Sequence, residues 1–505
     1  MLAWTIYIPF LAAFALLLLP RSRPSWARVL ALTAAIATFA IALAGFAQHR
    51  TGALFTVTRV PWVPSLGIEY RLAADGISLT LILLTGIIAV TGVLFSWNIE
   101  LRTNEFFAFY LLLIGSVYGV FLSYDLFLLF VFYEIVIIPK YFLIAIWGST
   151  RREYGAMKLA LYSFVGSAMV LIGLIAAYVA AGAHTMALVQ LAGFPFSAHF
   201  QMFAFPLVFT GFAILAGMWP LHTWAPTGHV AAPTAASMLL AGVVMKLGAY
   251  GCLRVAMTLF PLGLGPWGFH VLGLGSWRDV FAVLAVIGIV YGALVALVQK
   301  DFKFVIGYSS VSHMGFILLG LMTLNRIGLS GAVMQMFSHG TLAGLLFAVV
   351  GRMVYDRTHT RELAKLGPMD LNHAIPFAAV TFVVAGMGSM GLPGFSGFVA
   401  ELMVLVGVWH SYPTLTIFVG LGVVAGVAYI WRAMQAAFFS DSDSRSKAAE
   451  PHAATPPISL PERLGAAILI GASILVGLYP QLLLNIIAPA LDSPLFEGLG
   501  QGRWR

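Results

Sequence analysis

The chain has 505 residues, of which 61% are hydrophobic and only 9% are charged, and its mean hydropathy is +0.96. Soluble domains carry about 25% charged residues, so this composition excludes a soluble protein, and no basic soluble domain offers a nucleic-acid surface. The formal net charge of +8 fits a membrane protein whose Lys and Arg collect in inner loops. The single cysteine, Cys252, excludes an internal disulfide or a cysteine-rich metal site.

Apolar runs of about 20 residues predict an all-α polytopic membrane protein with about 14 transmembrane helices. The predicted helices are 2–20, 28–46, 76–97, 106–123, 125–148, 156–181, 203–221, 232–256, 279–299, 303–324, 328–351, 375–410, 413–438 and 462–484. Lys and Arg are more frequent in the loops that are inner when the N-terminus is outside, with Arg254 assigned to the outer side. This bias predicts an outer N-terminus.

The run 375–410 is too long for one simple crossing and too short for two, which need about 40 residues. It contains Gly391-Leu-Pro-Gly-Phe-Ser-Gly397, whose proline and glycines interrupt a helical hydrogen-bond ladder. One interpretation is a broken helix, which in transporters exposes backbone groups to a wet cavity. The other is a tight turn between two short helices.

Four charged side chains lie inside the predicted membrane helices: Glu134, Lys140, Lys246 and Glu401. Each costs at least roughly 2.5–3.5 kcal/mol at the centre of a membrane helix, so each requires an explanation. A pathway for protons or ions is the functional interpretation, because the protonation of a desolvated carboxyl or amine responds to its neighbours. A structural ion pair between helices is the alternative.

Lys140 follows Glu134 by six positions, about 9 Å along an α-helix and some 120° around it. The two side chains therefore do not face each other on a regular helix. Lys140 either finds a partner on an adjacent helix or extends to the inner membrane boundary.

Histidines add candidate relay stations, because imidazole titrates near neutral pH and can accept a proton at one nitrogen and release it from the other. The candidates are His222, His229, His313 and His339. A histidine on an apolar helix can equally be a hydrogen-bonded structural residue, so the sequence leaves both roles open.

Four sequence stretches together resemble one family: Pro139–Gly148, Leu239–Lys246, Tyr308–Phe316 and Pro393–Glu401. They resemble the antiporter-like membrane subunits of respiratory complex I, NADH:quinone oxidoreductase, of the subunit M (chain 4) type. The resemblance extends over about residues 70 to 480. It implies proton translocation, with Glu134, Lys246 and Glu401 on the family's helix-5, helix-8 and helix-12 sites, and with His313 and His339 on family histidines.

The same resemblance implies two inverted five-helix repeats with broken helices 7 and 12. Within one membrane domain over 1–505, it places the N-terminal helices 1–3 in 1–100 and the first repeat region, which includes the start of helix 9, in 105–299. The second repeat then lies in 279–438, and 461–505 holds the last helix and tail. Composition adds a flexible inner linker at 440–460.

The chain departs from the family pattern in its first half. The position of the family's helix-7 lysine, which pairs with the helix-5 glutamate, is Leu215, and the helix-5 Pro-Met-Tyr is Pro139-Lys140-Tyr141. The family's Trp-Leu-Pro-Asp-x-His reads Trp224-Ala-Pro-Thr-Gly-His229. Our hypothesis is that Lys140 replaces the missing lysine as a cationic partner. The rival is that the input half of the chain is disabled and Lys140 is only an anchor at the interface.

The family interpretation places the cofactors NADH, FMN, iron–sulfur clusters and quinone in partner subunits, and none in this chain. The expected partners are other membrane subunits, above all the L- and N-type antiporter-like subunits, together with membrane lipid. The expected location is a bacterial inner membrane, with a periplasmic N-terminus. Two alternatives remain: an Mrp-type antiporter or membrane-hydrogenase subunit, and a scaffold that no longer transports.

Overall fold

The computed structural model describes residues 1–49, 51–271, 273–440 and 456–500. Its longer helices are α1 Trp4–Leu18, α2 Pro24–Gln48, α3 Gly76–Phe95, α4 Thr103–Leu122, α5 Leu126–Trp147, α6 Arg152–Ala180, α7 Ala198–Ala216, α8 Trp224–Ala231, α9 Thr234–Met257, α10 Trp277–Val298, α11 Phe302–Met322, α12 Arg326–Thr358, α13 Pro376–Ser389, α14 Ser396–Ser411, α15 Pro413–Phe438, α16 Leu460–Leu478 and α17 Gln481–Leu491. Short helices lie at Leu188–Ala192, Leu363–Leu366, Leu371–Ala374 and Glu497–Gly500. The strands are β1 Phe55–Val63, β2 Ile68–Ala74, β3 Pro266–Val271 and β4 Leu274–Ser276, forming two antiparallel hairpins.

Twelve helices of the described chain are long and apolar enough to cross a membrane, by length and composition. They are α2–α7, α9–α12, α15 and α16. The predicted all-α polytopic architecture is confirmed, while the number fourteen and the inverted relation of the repeats stay predictions. The predicted linker 440–460 lies mostly outside the described residues.

The membrane helices begin where short polar side chains can accept their first backbone N–H groups. Asp75 accepts from Ser78, Asp125 from Phe127 and Leu128, and Asn325 from Gly328. Such caps satisfy donors that have no partner within the helix, a need that is greatest where water is scarce.

The predicted helices 375–410 and 203–221 differ from the structure at a turn. The run 375–410 forms α13, of 14 residues, and α14, of 16 residues, so the predicted interruption is present. The prediction of one helix at 203–221 is wrong at its end, because α7 stops at Ala216 before Gly217, whose φ is +79°, and α8 follows separately. The family resemblance implies breaks at these two places, whereas hydropathy alone indicates only the one at 375–410.

Helices α3, α9 and α12 form the centre of the molecule, since their most apolar windows are buried along the whole length. In contrast, α2, α15 and α16 are largely exposed at the periphery. Close approach of α12 to α9 needs a glycine: a Cβ on Gly340 would lie 2.7 Å from the Gly242 carbonyl oxygen. Small residues allow such backbone contact between membrane helices.

Two of the central helices depart from regular α-helical pitch. In α9, Leu240–Val244 and Cys252–Met257 are π-helical, and in α12 the π segment is Ala348–Tyr355. π segments are rare and occur frequently at functional sites, because they leave backbone groups free for other partners. The first of them ends two residues before Lys246.

The β1–β2 hairpin is attached to the start of α5 through Asp125. One carboxylate oxygen accepts the backbone N–H groups of Phe127 and Leu128, at 3.0 and 3.1 Å, and the other accepts that of Glu69, at 3.0 Å. Burial raises the pKa of Asp125 above its usual value, although these three N–H groups favour the ionised form. Nearby, hydrogen bonds from Arg59 hold the pKa of Glu69 below its usual value.

Arg254 is a buried charge that forms an ion pair inside the fold. It lies within α9, fully buried, and its Nη2 contacts Asp75 Oδ2 at 2.6 Å. The rings of Tyr124, Tyr250 and Phe496 lie between 5.2 and 5.4 Å from the guanidinium carbon. That Arg254 belongs to the outer side of the membrane stays a prediction; the structure shows that it is buried and paired with the N-cap residue of α3.

We expect Asp75→Asn to destabilise the protein by about 3–5 kcal/mol, because it leaves a buried guanidinium without its counter-charge. Thermal unfolding of the purified protein in detergent measures the loss, and Asp75→Asn with Arg254→Met should recover part of it. The control is Glu69→Gln, which breaks the exposed Arg59–Glu69 pair at a cost of at most about 1 kcal/mol. Equal unfolding temperatures for the two single variants would contradict the prediction.

Gly391→Ala should destabilise the break between α13 and α14 by about 1–2 kcal/mol, the cost of a left-handed conformation for an L-residue. The φ of Gly391 is +75°, and an added Cβ would lie 3.1 Å from Glu401 Oε2. Thermal unfolding of the purified protein in detergent measures this loss. Gly420→Ala is the matched control, since nothing lies within 4 Å of a Cβ there and α15 tolerates alanine; a loss as large as that of Gly391→Ala would refute the assignment.

Candidate functional site

Lys246 lies in the middle of α9 and has no exposed surface. Its Nζ donates to the carbonyl oxygen of Ala241, in the preceding π segment, and lies 2.8 Å from Nδ1 of His339 on α12. An ammonium group has donors only, so His339 accepts at Nδ1 and carries its proton at Nε2 while Lys246 is charged. That Nε2 is buried and makes no hydrogen bond to a described residue.

His339 and His313 lie face to face between α12 and α11. Their ring centroids are 5.4 Å apart, and the ring planes differ by 26°. The two rings make no direct hydrogen bond in the described chain. A buried donor without a protein partner is a usual place for an ordered water, and the unpaired Nε2 of His339 is such a donor.

His313 is held at both ring nitrogens. Its Nε2 lies 3.2 Å from Ser389 Oγ, at the end of α13, and its Nδ1 lies 3.2 Å from Glu401 Oε1, on α14. Because α13 and α14 are the two halves of the interrupted segment, both contacts depend on the break. The structure therefore brings three predicted site residues, His339, His313 and Glu401, into one group with Lys246.

Sequence reasoning missed Gln335, which belongs to the same group. Its Nε2 lies 3.2 Å from His313 Nδ1 and 3.4 Å from Glu401 Oε1. The signal was present: Gln335 precedes His339 by four positions in an apolar helix, and residues at that spacing share one helix face.

The first half of the chain is organised differently. Lys140 is buried, and its Nζ donates to Ser163 Oγ on α6 at 2.9 Å. Of the two interpretations of Lys140, extension to the membrane boundary is wrong, because the ammonium group ends on a buried serine. Glu134 lies close enough to act electrostatically on Lys140, and its Oε1 is buried without a hydrogen-bond partner in the described chain.

Leu215 occupies the position of the family's helix-7 lysine, near the end of α7, and is buried among apolar side chains. Lys140 is a cation on which Glu134 acts electrostatically. The geometry is consistent with the replacement hypothesis but does not test it.

The ring nitrogens of the remaining two histidines make no hydrogen bond to the Lys246 group. His222 is buried beside the ring of Tyr291, with the centroids 5.2 Å apart. His229 is fully buried, stacks on Phe347 at 4.8 Å, and has no hydrogen-bond partner among the described residues. It lies within electrostatic reach of both Lys246 and Lys303.

Lys303 is a second missed residue, since its position at the start of α11 suggests an inner loop. It is buried, and its Nζ donates to the Ala232 carbonyl oxygen at 2.6 Å. It also lines a cavity of about 150 Å³ with Asn98, Ser149 and Tyr355. No cluster of three or more His, Cys, Asp or Glu that could hold a metal occurs in the described ranges.

Known proteins with similar sequence and fold identify the family to which the chain belongs. The profile of the family described as "NADH:quinone oxidoreductase/Mrp antiporter, TM" matches residues 123–427. NADH-quinone oxidoreductase subunit M of Rhodobacter capsulatus is 36% identical to the chain, with 96% of this chain and 94% of that protein covered.

Solved structures agree. A chain of respiratory complex I from Thermus thermophilus with bound NADH superposes with a TM-score of 0.87 at 27% identity, covering 99% of this chain and 100% of that one. A chain of the Mrp complex from Dietzia sp. shares the fold, with a TM-score of 0.84 at 21% identity and coverage of 99% and 98%. The chain therefore belongs to the family of antiporter-like membrane subunits of NADH:quinone oxidoreductase and Mrp complexes.

Proposed function

We propose that this chain translocates protons across a bacterial inner membrane as a subunit of a complex I-type NADH:quinone oxidoreductase. The observation that carries the proposal is the buried line Lys246–His339–His313–Glu401, in which the polar atoms meet at 2.8 and 3.2 Å on either side of one pair of stacked rings. A scaffold subunit has no need of such a line, since burying each of these groups is costly.

Each member of the line can pass a proton to the next. A proton that leaves Lys246 Nζ for His339 Nδ1 leaves a neutral amine, and the imidazole releases its other proton from Nε2. A water at Nε2 would connect the stacked rings, and His313 then exchanges a proton with Glu401 through Nδ1. Glu401 lies beside the α13–α14 break, so its second oxygen faces the backbone at Gly391.

In the first half of the chain, the charges of Lys140 and Glu134 would regulate proton transfer. We infer that Lys140 takes the role of the lysine that is absent at Leu215, as the cationic partner of Glu134. A lysine that changes between the Ser163 hydroxyl and the Glu134 carboxylate has two arrangements of charge, and coupling between sites requires two such states. His222 and His229 are candidate relays between this half and Lys246, since His229 lies within reach of Lys246.

Redox chemistry belongs to other subunits in this proposal. NADH, FMN, iron–sulfur clusters and quinone would be bound by partners, and this chain would use the free energy of their reaction. The membrane partners would be L- and N-type antiporter-like subunits, with the N-terminus in the periplasm.

Lys246→Met should lower the proton-pumping rate of the reconstituted complex about tenfold or more, because loss of a proton donor and acceptor costs about 10²–10⁴-fold in the step it serves. Proton uptake by proteoliposomes and NADH-driven quinone reduction are recorded in parallel. The matched control is Lys365→Met, at an exposed lysine paired with Glu362. Normal pumping by an assembled Lys246→Met complex would contradict the proposed function.

Lys140→Met should also lower pumping while the complex still assembles, if Lys140 is the replacement cation. The double variant Leu215→Lys with Lys140→Met should then restore pumping, since it returns the family's cation to α7. The replacement hypothesis is wrong if Lys140→Met is harmless and the double variant has no further effect. The measurement is the ratio of protons pumped to electrons transferred in the same proteoliposomes.

A further inference from the structure

The amide of Gln335 completes a triangle with His313 and Glu401. Its Nε2 lies 3.2 Å from His313 Nδ1 and 3.4 Å from Glu401 Oε1, and those two atoms are 3.2 Å apart. All three side chains are buried between α11, α12 and α14. Gln335 is therefore the one described side chain that hydrogen-bonds to both His313 and Glu401, the donor and acceptor of the proton transfer between them.

A primary amide can match either protonation state of its neighbours. When the proton is on Nδ1, Nδ1–H donates to the Glu401 carboxylate and an N–H of Gln335 donates to the same carboxylate. When the proton has passed to Glu401, Nδ1 is an acceptor and can receive an N–H of Gln335. The amide oxygen of Gln335 is buried and makes no hydrogen bond to a described residue.

Other side chains around this triangle interact with His313 or Glu401. Ser389 contacts the far ring nitrogen of His313, and the ring of His339 stacks on that of His313, with Lys246 beyond it. On the carboxylate side, Tyr429 acts electrostatically on Glu401 and is itself hydrogen-bonded to Ser309 at 2.7 Å. None of these groups hydrogen-bonds to both His313 and Glu401, whereas Gln335 does.

We propose that Gln335 is a positioning residue that holds His313 and Glu401 in register for direct proton transfer. In that step the Nδ1–H bond breaks and an O–H bond forms at Oε1. The imidazolium becomes neutral imidazole and the carboxylate becomes a carboxylic acid, so charge and atoms balance. This inference rests on the proposed function, because it deepens one step of the proposed proton pathway.

Two variants of nearly equal size separate positioning from packing. Gln335→Met keeps the length of the side chain but removes its donors and acceptor, and Gln335→Glu keeps hydrogen-bonding capacity while placing a second carboxyl in a buried site. A packing role predicts that methionine is the better substitute. Positioning predicts the reverse order: pumping falls about tenfold with methionine, the cost of losing hydrogen bonds to a charged group, and is partly retained with glutamate.

Gln201→Met is the matched control, because Gln201 is also buried but bonds only backbone atoms, the Phe196 carbonyl and the Leu262 N–H. It should leave the proton-to-electron ratio unchanged. Pumping by Gln335→Met that equals the unmodified complex, or exceeds that of Gln335→Glu, would overturn the inference. Glu401→Gln distinguishes failure of the Gln335 inference from failure of the proposed function. If Glu401→Gln stops pumping while Gln335→Met does not, only the inference fails. If both variants pump normally, the proposed function fails as well.

Discussion

Buried charge in an apolar surrounding needs a partner, and this requirement organises the centre of the molecule. Lys246 has a carbonyl and an imidazole, Arg254 has Asp75 and three aromatic rings, Lys303 has a carbonyl, and Lys140 has a serine. The partners differ in kind. Arg254 is held by a full counter-charge, which gives a fixed structural pair, whereas Lys246 and Lys140 are held by neutral groups. A cation with a neutral partner can lose its proton or change partners more easily, and this difference separates Lys246 and Lys140 from the structural Arg254.

The helices that carry these groups are irregular where the groups lie. The π segment Leu240–Val244 precedes Lys246, and the α13–α14 break brings Ser389 and Glu401 to opposite sides of His313. A regular helix hydrogen-bonds its own backbone and offers nothing to a side chain. The irregular segments release backbone groups and set helix ends inside the fold, so they supply polar contacts that a bundle of regular helices would lack.

Much of this arrangement was predictable from the sequence, for identifiable reasons. Glu134, Lys246 and Glu401 stand out because each is charged within a long apolar run, and the break at 375–410 follows from its length together with its glycines and proline. The burial of Arg254 and Lys303 was not predictable, because both lie near the ends of their runs, where hydropathy cannot separate an exposed loop residue from a buried one. The Lys140–Ser163 contact could not be predicted, since which faces of α5 and α6 meet is decided by packing. Gln335 could have been predicted from its spacing of four residues to His339, but it is uncharged and lies in an apolar helix, so it does not stand out.

Asp125 hydrogen-bonds to the backbone of both the β1–β2 hairpin and α5. One oxygen of its carboxylate closes the first turn of α5, and the other is bonded to the β1–β2 hairpin. The backbone N–H of Tyr124 also donates to the Arg71 carbonyl oxygen at 3.0 Å, and the rings of Trp62 and Phe127 pack with their centroids 5.8 Å apart. A displacement of the hairpin would therefore shift the N-terminus of the helix that carries Glu134 and Lys140.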